Sequence, residues 1–224
     1  MIRKVLPLAA AAAFALTYSA VAAQEPVTMA QKQLSRIDLG VSGVGEFNRN
    51  VSGPIVATGS GNTGQIVGVS PSTTLGALVT VRYIAKPYLG LEFNYGYARY
   101  TENYSNVPGN LPNLGVQTKV NEYTVGYIIT PPYPIFGFQP FVSVGAGSMA
   151  FKPTPRGGVG LSTQARADYY YSGGIQQEYF SSHFGLRAAF RQNFFIAPDF
   201  GQNYLTIKQR TSTMEPTIGF YLKF

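Results

Sequence analysis

The chain has 224 residues and a formal net charge of +7, with 25 Gly, 16 Tyr, 15 Phe, no Cys and no Trp. A mean hydropathy of +0.02 with only 12% charged residues is too apolar for an ordinary soluble surface and too polar for a bundle of membrane helices. Without cysteine there are no disulfides, thiolate metal sites or cysteine nucleophiles.

The first segment reads as a cleaved targeting sequence. Arg3 and Lys4 precede an apolar, alanine-rich run from Val5 to Tyr18, and Val21-Ala22-Ala23 is a small-residue cleavage site. Cutting after Ala23 removes residues 1–23 and lowers the net charge from +7 to +5. Residues 24–35 form a short polar lead, and residues 36–224 the folded domain. The apolar run is too short for a membrane helix, and no later run is long enough.

From Arg36 onward the sequence alternates with a period of two, the sign of strands with one apolar face. Eight strands are predicted. The first, 36–48, puts Ile37, Leu39, Val41 and Phe47 on one side; the second, 74–85, puts out Ala77, Val79, Val81 and Tyr83. The third, 89–101, carries Leu89, Leu91, Phe93, Tyr95 and Tyr97, and the fourth, 117–130, carries Tyr123, Val125, Tyr127 and Ile129. The fifth, 138–151, shows Phe138, Val142, Val144 and Ala146; the sixth, 165–180, shows Ala167, Tyr169, Tyr171, Ile175 and Tyr179. The seventh, 184–195, shows Leu186, Ala188, Phe190 and Phe194, and the last shows Ile218, Phe220, Leu222 and Phe224.

Short connections (Lys86-Pro87-Tyr88, 131–137, Ser181-Ser182-His183) alternate with long ones (48–73, 102–116, 152–163, 198–209) rich in Gly, Pro, Asn, Ser and Thr. This predicts an all-β fold, an eight-stranded antiparallel up-and-down transmembrane β-barrel with its short turns in the periplasm. A soluble sandwich or lipocalin-like barrel would bury the apolar rows instead. The opposite face counts against it, being rich in Gly, Ser and Thr with few Lys. So do aromatics near the strand ends: Tyr83, Tyr88, Tyr133, Tyr179 and Phe224 at one level, Tyr97, Tyr100, Tyr104 and Tyr169 at the other.

These features together resemble the small outer membrane barrels of the protein A-like family, with its X-like and W-like relatives. The ending Ile218-x-Phe220-x-Leu222-x-Phe224 is similar to the C-terminal signal read by the barrel assembly machinery. The resemblance implies a bacterial outer-membrane location and contact with lipid and lipopolysaccharide. The peptidoglycan-binding domain of the longer members has no counterpart here, so no cell-wall tether is expected.

Strand parity sends most charges inward: Asp38, Glu46, Glu92, Glu122, Asp168, Glu178 and Glu215, with Arg82, Arg166, Arg187, Arg191 and Lys223. An eight-stranded interior is only wide enough for side chains, and charges inside it need partners. Hairpin arithmetic sets Arg82 opposite Glu92 and Glu178 opposite Arg187, with Asp38 and Lys223 near the same level. The expectation is a belt of ion pairs plugging the lumen near the short-turn end. Inward Leu78, Phe141 and Met149, with Pro140 and Pro216 interrupting the outward rows, are the basis of the alternative, a narrow channel or a transporter of small apolar molecules.

Catalysis is not expected. His183, the one histidine, lies in a short turn with no acid nearby to orient it, and one His without Cys makes no usual transition-metal site. No cofactor is expected. Arg99, Lys119, Lys208 and Arg210 have outward parity near the long-loop ends and are expected to meet lipopolysaccharide phosphates, with Lys152 and Arg156 in a neighbouring loop. The aromatic rows argue against nucleic acid despite the basic balance, and a monomer is expected.

Overall fold

The computed structural model describes residues 28–57, 61–86, 88–109 and 111–224; the expected signal peptide and residues 24–27 lie outside the described residues. Within the lead, a short helix, α1, covers Met29–Leu34. Thr28 starts it: the Gln31 N–H donates to Thr28 Oγ1 (3.3 Å), and the Thr28 N–H donates to Gln31 Oε1 (2.8 Å). This reciprocal pair is a capping box.

Residues 35–224 form a separate unit. Its strands are β1 (Ile37–Asn48), β2 (Val51–Pro54), β3 (Ile66–Pro71), β4 (Thr74–Tyr83), β5 (Leu89–Val107), β6 (Leu111–Ile129), β7 (Gln139–Pro153), β8 (Gln164–Ser181), β9 (Phe184–Ile196) and β10 (Arg210–Lys223). Eight of them pair β1-β4-β5-β6-β7-β8-β9-β10, and β10 returns antiparallel to β1, closing a barrel. Closure stabilises a cysteine-free domain by leaving the eight staves without a free edge. The pair β2–β3 is a hairpin added to β5 at the long-loop end, within the segment expected to be loop. β5 and β6 likewise run past their expected ends to Val107 and Leu111, because the alternation continues with Glu102 and Tyr104 inward on β5 and Leu114 and Val116 inward on β6.

Burial is inverted relative to a soluble protein. The predicted outward rows are exposed: Leu91, Phe93, Tyr123, Val125, Tyr127, Val142, Val144, Phe190, Ile218 and Phe220 all lie on the outer wall. The residues between them (Thr80, Arg82, Glu92, Asn94, Glu122, Thr124, Ser143, Asp168, Arg191, Asn193) are buried in the lumen. Such an outer face is stable only under hydrocarbon, so the rows read as lipid-facing rather than core. Two of the expected girdle aromatics are not on this wall. Tyr100 and Tyr104 are buried, because their even parity on β5 turns them inward.

Candidate functional site in the lumen

The lumen is filled in three layers. The lowest, near the short turns, starts from the β4–β5 hairpin, whose register sets Arg82 beside Glu92. Arg82 Nε and Nη2 both lie 2.6 Å from Glu92 Oε2, and both side chains are almost wholly buried. The other carboxylate oxygen, Oε1, accepts from Asn94 Nδ2 (3.0 Å), Ser143 Oγ (3.1 Å) and the Tyr170 hydroxyl (3.2 Å). Tyr170 reaches in because Gly126 and Gly145 oppose each other across β6 and β7. A Cβ on Gly126 would sit 2.5 Å from its hydroxyl, and one on Gly145 would sit 2.6 Å from its ring.

The second cation of this layer, Arg187, does not pair with Glu178 as hairpin arithmetic expects. A bulge between Glu178 and Ser181 slips the β8–β9 register by two residues, so Glu178 faces Gly185 and Arg187 faces Gln176. Arg187 Nη2 instead donates across the lumen to Asp38 Oδ1 (3.0 Å) and to Gln176 Oε1 (3.1 Å). Arg82 Nη1 reaches the same Gln176 oxygen at 3.2 Å, joining the two pairs into one network. Phe141 lies beneath both guanidinium groups, at 4.1 Å from Arg82 Cζ and 5.8 Å from Arg187 Cζ. Glu178 pairs with Lys223 at 3.3 Å, but these side chains are 45% and 47% exposed at the rim and close nothing.

The middle layer gathers four carboxylates around one cation. Arg191 forms a two-pronged pair with Glu122 and reaches Glu215 Oε2 at 3.1 Å. Asn193 Nδ2 donates to both acids, at 2.9 Å and 2.6 Å, and Tyr170 lies 4.2 Å below the Arg191 guanidinium. Glu46, Glu122 and Glu215 line a cavity of about 10 Å³, the size of one water. Asp168 is fully buried at this level, with no hydrogen-bond partner for either oxygen.

The upper layer is apolar and was not legible as such. The connection between β9 and β10 folds into the barrel mouth and buries Phe200, Leu205 and Ile207 against Ile55, Val67, Val69, Tyr104, Val116, Phe151 and Phe195. Asp199 anchors this cap. Its Oδ1 accepts from Gln164 Nε2 (2.6 Å) and the Gly201 N–H (3.0 Å), and its Oδ2 from Thr206 Oγ1 (3.1 Å) and Arg166 Nη2 (2.9 Å). Burial disfavours its charge, but these bonds and the Arg166 guanidinium hold the carboxyl below its ordinary value. The signal was present in Asp199-Phe200-Gly201, an Asx turn ahead of alternating Leu205 and Ile207.

The remaining predicted positions are dispersed. His183 is exposed in its turn, with Nδ1 2.9 Å from the Lys223 carbonyl. Ile218, Phe220, Leu222 and Phe224 form an exposed outward row on the closing strand and its end. Arg99 and Lys119 are register partners on β5 and β6, whereas Arg210 starts β10, three strands away around the wall, with Lys208 just before it. Among the described residues, no group of three or more His, Cys, Asp or Glu is arranged to hold a metal ion.

An antiparallel barrel with an apolar outer wall and an interior filled by its own side chains is the architecture of the small outer-membrane β-barrels. Among solved structures the chain is similar to the outer membrane protein OprG from Pseudomonas aeruginosa, with a TM-score of 0.60 and 14% identity over 84% of this chain and 95% of that one. It is also similar to Neisserial surface protein A, with a TM-score of 0.55 and 13% identity over 84% of this chain and 97% of that one. No protein-family model and no curated protein matches the chain.

Proposed function

We propose that this protein is a monomeric barrel of a bacterial outer membrane with a structural or surface-exposed role, a closed lumen and no catalysis. The long connections face outward, and the Ser181–His183 turn faces the periplasm. The observation that carries this reading is the threefold filling of one narrow lumen: the Arg82–Glu92 and Arg187–Asp38 network, the Arg191 cluster, and the apolar cap. A solute would have to break all three. The outward row from Ile218 to Phe224 serves as the signal for the barrel assembly machinery. Single-channel recording of refolded protein in planar bilayers tests the closed lumen. The expected trace is flat; a steady conductance at neutral pH overturns it. Cysteines at Asn62 and Ser182 test orientation. An impermeant thiol reagent on intact cells should label the first and spare the second.

One observation favours a transporter. The β1–β10 ladder stops at Val44–Thr217 and resumes at Phe47–Met214, leaving Gly45, Glu46, Glu215 and Pro216 outside the pairing. A groove of about 370 Å³ in the outer wall follows this seam, between Gly43, Gly45, Leu75, Gly76, Pro216 and Ile218. Proline sits there without losing a ladder bond to β1. Behind the seam, however, stand Glu46 and Glu215, and an apolar solute would desolvate both to pass. The closed barrel therefore accounts for more of the lumen. Uptake of an apolar dye into proteoliposomes would decide for the transporter.

A further inference from the structure

We propose that Arg99, Lys119 and Lys152 form a clamp on the outer wall for the phosphates of the phosphorylated glycolipid of the external leaflet. Register brings them together: Arg99 is the partner of Lys119 across β5–β6, and Lys119 the partner of Lys152 across β6–β7. All three are exposed and, by strand parity, point outward. Adjacent strands lie ~4.8 Å apart, so the row spans roughly 10 Å. Arg156 stands just above it, its carbonyl accepting from the Gln117 N–H (3.1 Å).

Like charges directly opposite each other destabilise a strand pair unless something neutralises them. The protein does not do so here. The described carboxylates of the barrel lie in the lumen, at the short-turn rim or in the cap. Gln117 Oε1, which accepts from Arg99 Nη2, is a neutral partner that orients the guanidinium without cancelling its charge. The counter-charge must come from outside the chain.

Height identifies the source. Arg99 lies ten residues above Leu89 on β5, and their partners Lys119 and Ile129 keep the same interval on β6. At ~3.4 Å per residue and a tilt of ~40° this is about 25 Å along the membrane normal, the height of the apolar band. Immediately below the row on the same face comes Tyr97, and one step further down Tyr95 and Tyr123 pack with ring centroids 5.2 Å apart. Hydrocarbon-facing Phe93 and Val125, then tyrosines, then cations is the order of acyl chain, interface and phosphate. Three cations side by side suit a lipid with more than one phosphate, which Arg binds through its planar fork and Lys as a point charge.

The clamp rests on the outer-membrane reading with long connections outward, and the test separates the two. The mature chain is refolded in phosphatidylcholine bicelles, and binding of lipid A is measured against lipid A with its phosphates removed and against phosphatidylglycerol. Lipid A should bind tightest, and the triple variant Arg99→Gln/Lys119→Gln/Lys152→Gln should lose on the order of 100-fold in affinity. A control with Lys208→Gln and Arg210→Gln should lose far less. Heat-modifiable gel mobility in phosphatidylcholine reports folding of every variant. Equal binding of intact and dephosphorylated lipid A, equal binding of phosphatidylglycerol, or an unaffected triple variant overturns the clamp while leaving the barrel standing. A wild-type chain that does not insert at all overturns the membrane reading itself.

Discussion

Changing Glu92 to Gln removes one charge from the lowest layer and leaves its shape. Arg82 then remains buried with Gln176 and the Phe141 ring as its neighbours. With charge centres roughly 4 Å apart and an effective dielectric constant of ~20, the lost attraction is about 4 kcal/mol. Leaving one partner of a buried pair uncompensated is expected to cost about 3–5 kcal/mol. The amide oxygen of Gln can still accept from Asn94, Ser143 and Tyr170, so the loss is mostly electrostatic. Arg82→Met together with Glu92→Gln removes the orphaned cation and should recover all but about 1 kcal/mol, because a neutral, well-packed replacement of a buried pair is often nearly neutral. Urea unfolding in phosphatidylcholine vesicles, followed by tyrosine fluorescence and gel mobility, measures the double-mutant cycle. Bilayer recording of Glu92→Gln supplies a second readout, since water drawn in to solvate Arg82 would appear as conductance. A single variant that loses under about 1 kcal/mol and stays silent, or a double variant no better than the sum of the singles, would refute the claim that these pairs close the lumen.

Three further outcomes follow from other layers. The depressed Asp199 carboxyl stabilises the cap above its ordinary value of 3.8, and this contribution is lost as pH falls through the lower folded value. Hydrogen exchange in residues 197–209 should therefore rise on acidification in the wild type, whereas Asp199→Asn should be loose at neutral pH and change little. Glu102 is fully buried, and neither carboxylate oxygen has a hydrogen-bond partner, so Glu102→Met should raise the urea midpoint, worth about 1–3 kcal/mol. Deleting Phe224 removes the last residue of the outward row and should lower outer-membrane levels with more periplasmic degradation, read by fractionation.

Strand positions, the faces of the strands and the closed eight-stave architecture were written in the sequence, because a period of two is local and a lipid-facing wall cannot hide it. Pairing across a short turn was local too: only the few residues from Ile84 to Gly90 separate Tyr83 from its partner Leu91, and that register sets Arg82 beside Glu92, although Lys86 and Leu89 inside the turn pair one residue out of step with it. The partner of Arg187 is not set by hairpin arithmetic, because the bulge after Glu178 displaces the pairing by two residues and nothing in the alternation marks a bulge. Partners across the lumen, such as Arg187 with Asp38 or Arg191 with Glu122, are set by barrel closure, which joins residues 149 and 69 positions apart. The cap and the cation row belong to the same category. Phe200 finds Tyr104, and Lys152 finds Arg99 through Lys119, only once the staves are in register. Local alternation decides which way each side chain points; the tertiary structure alone decides what it meets, because closure converts sequence distance into contact.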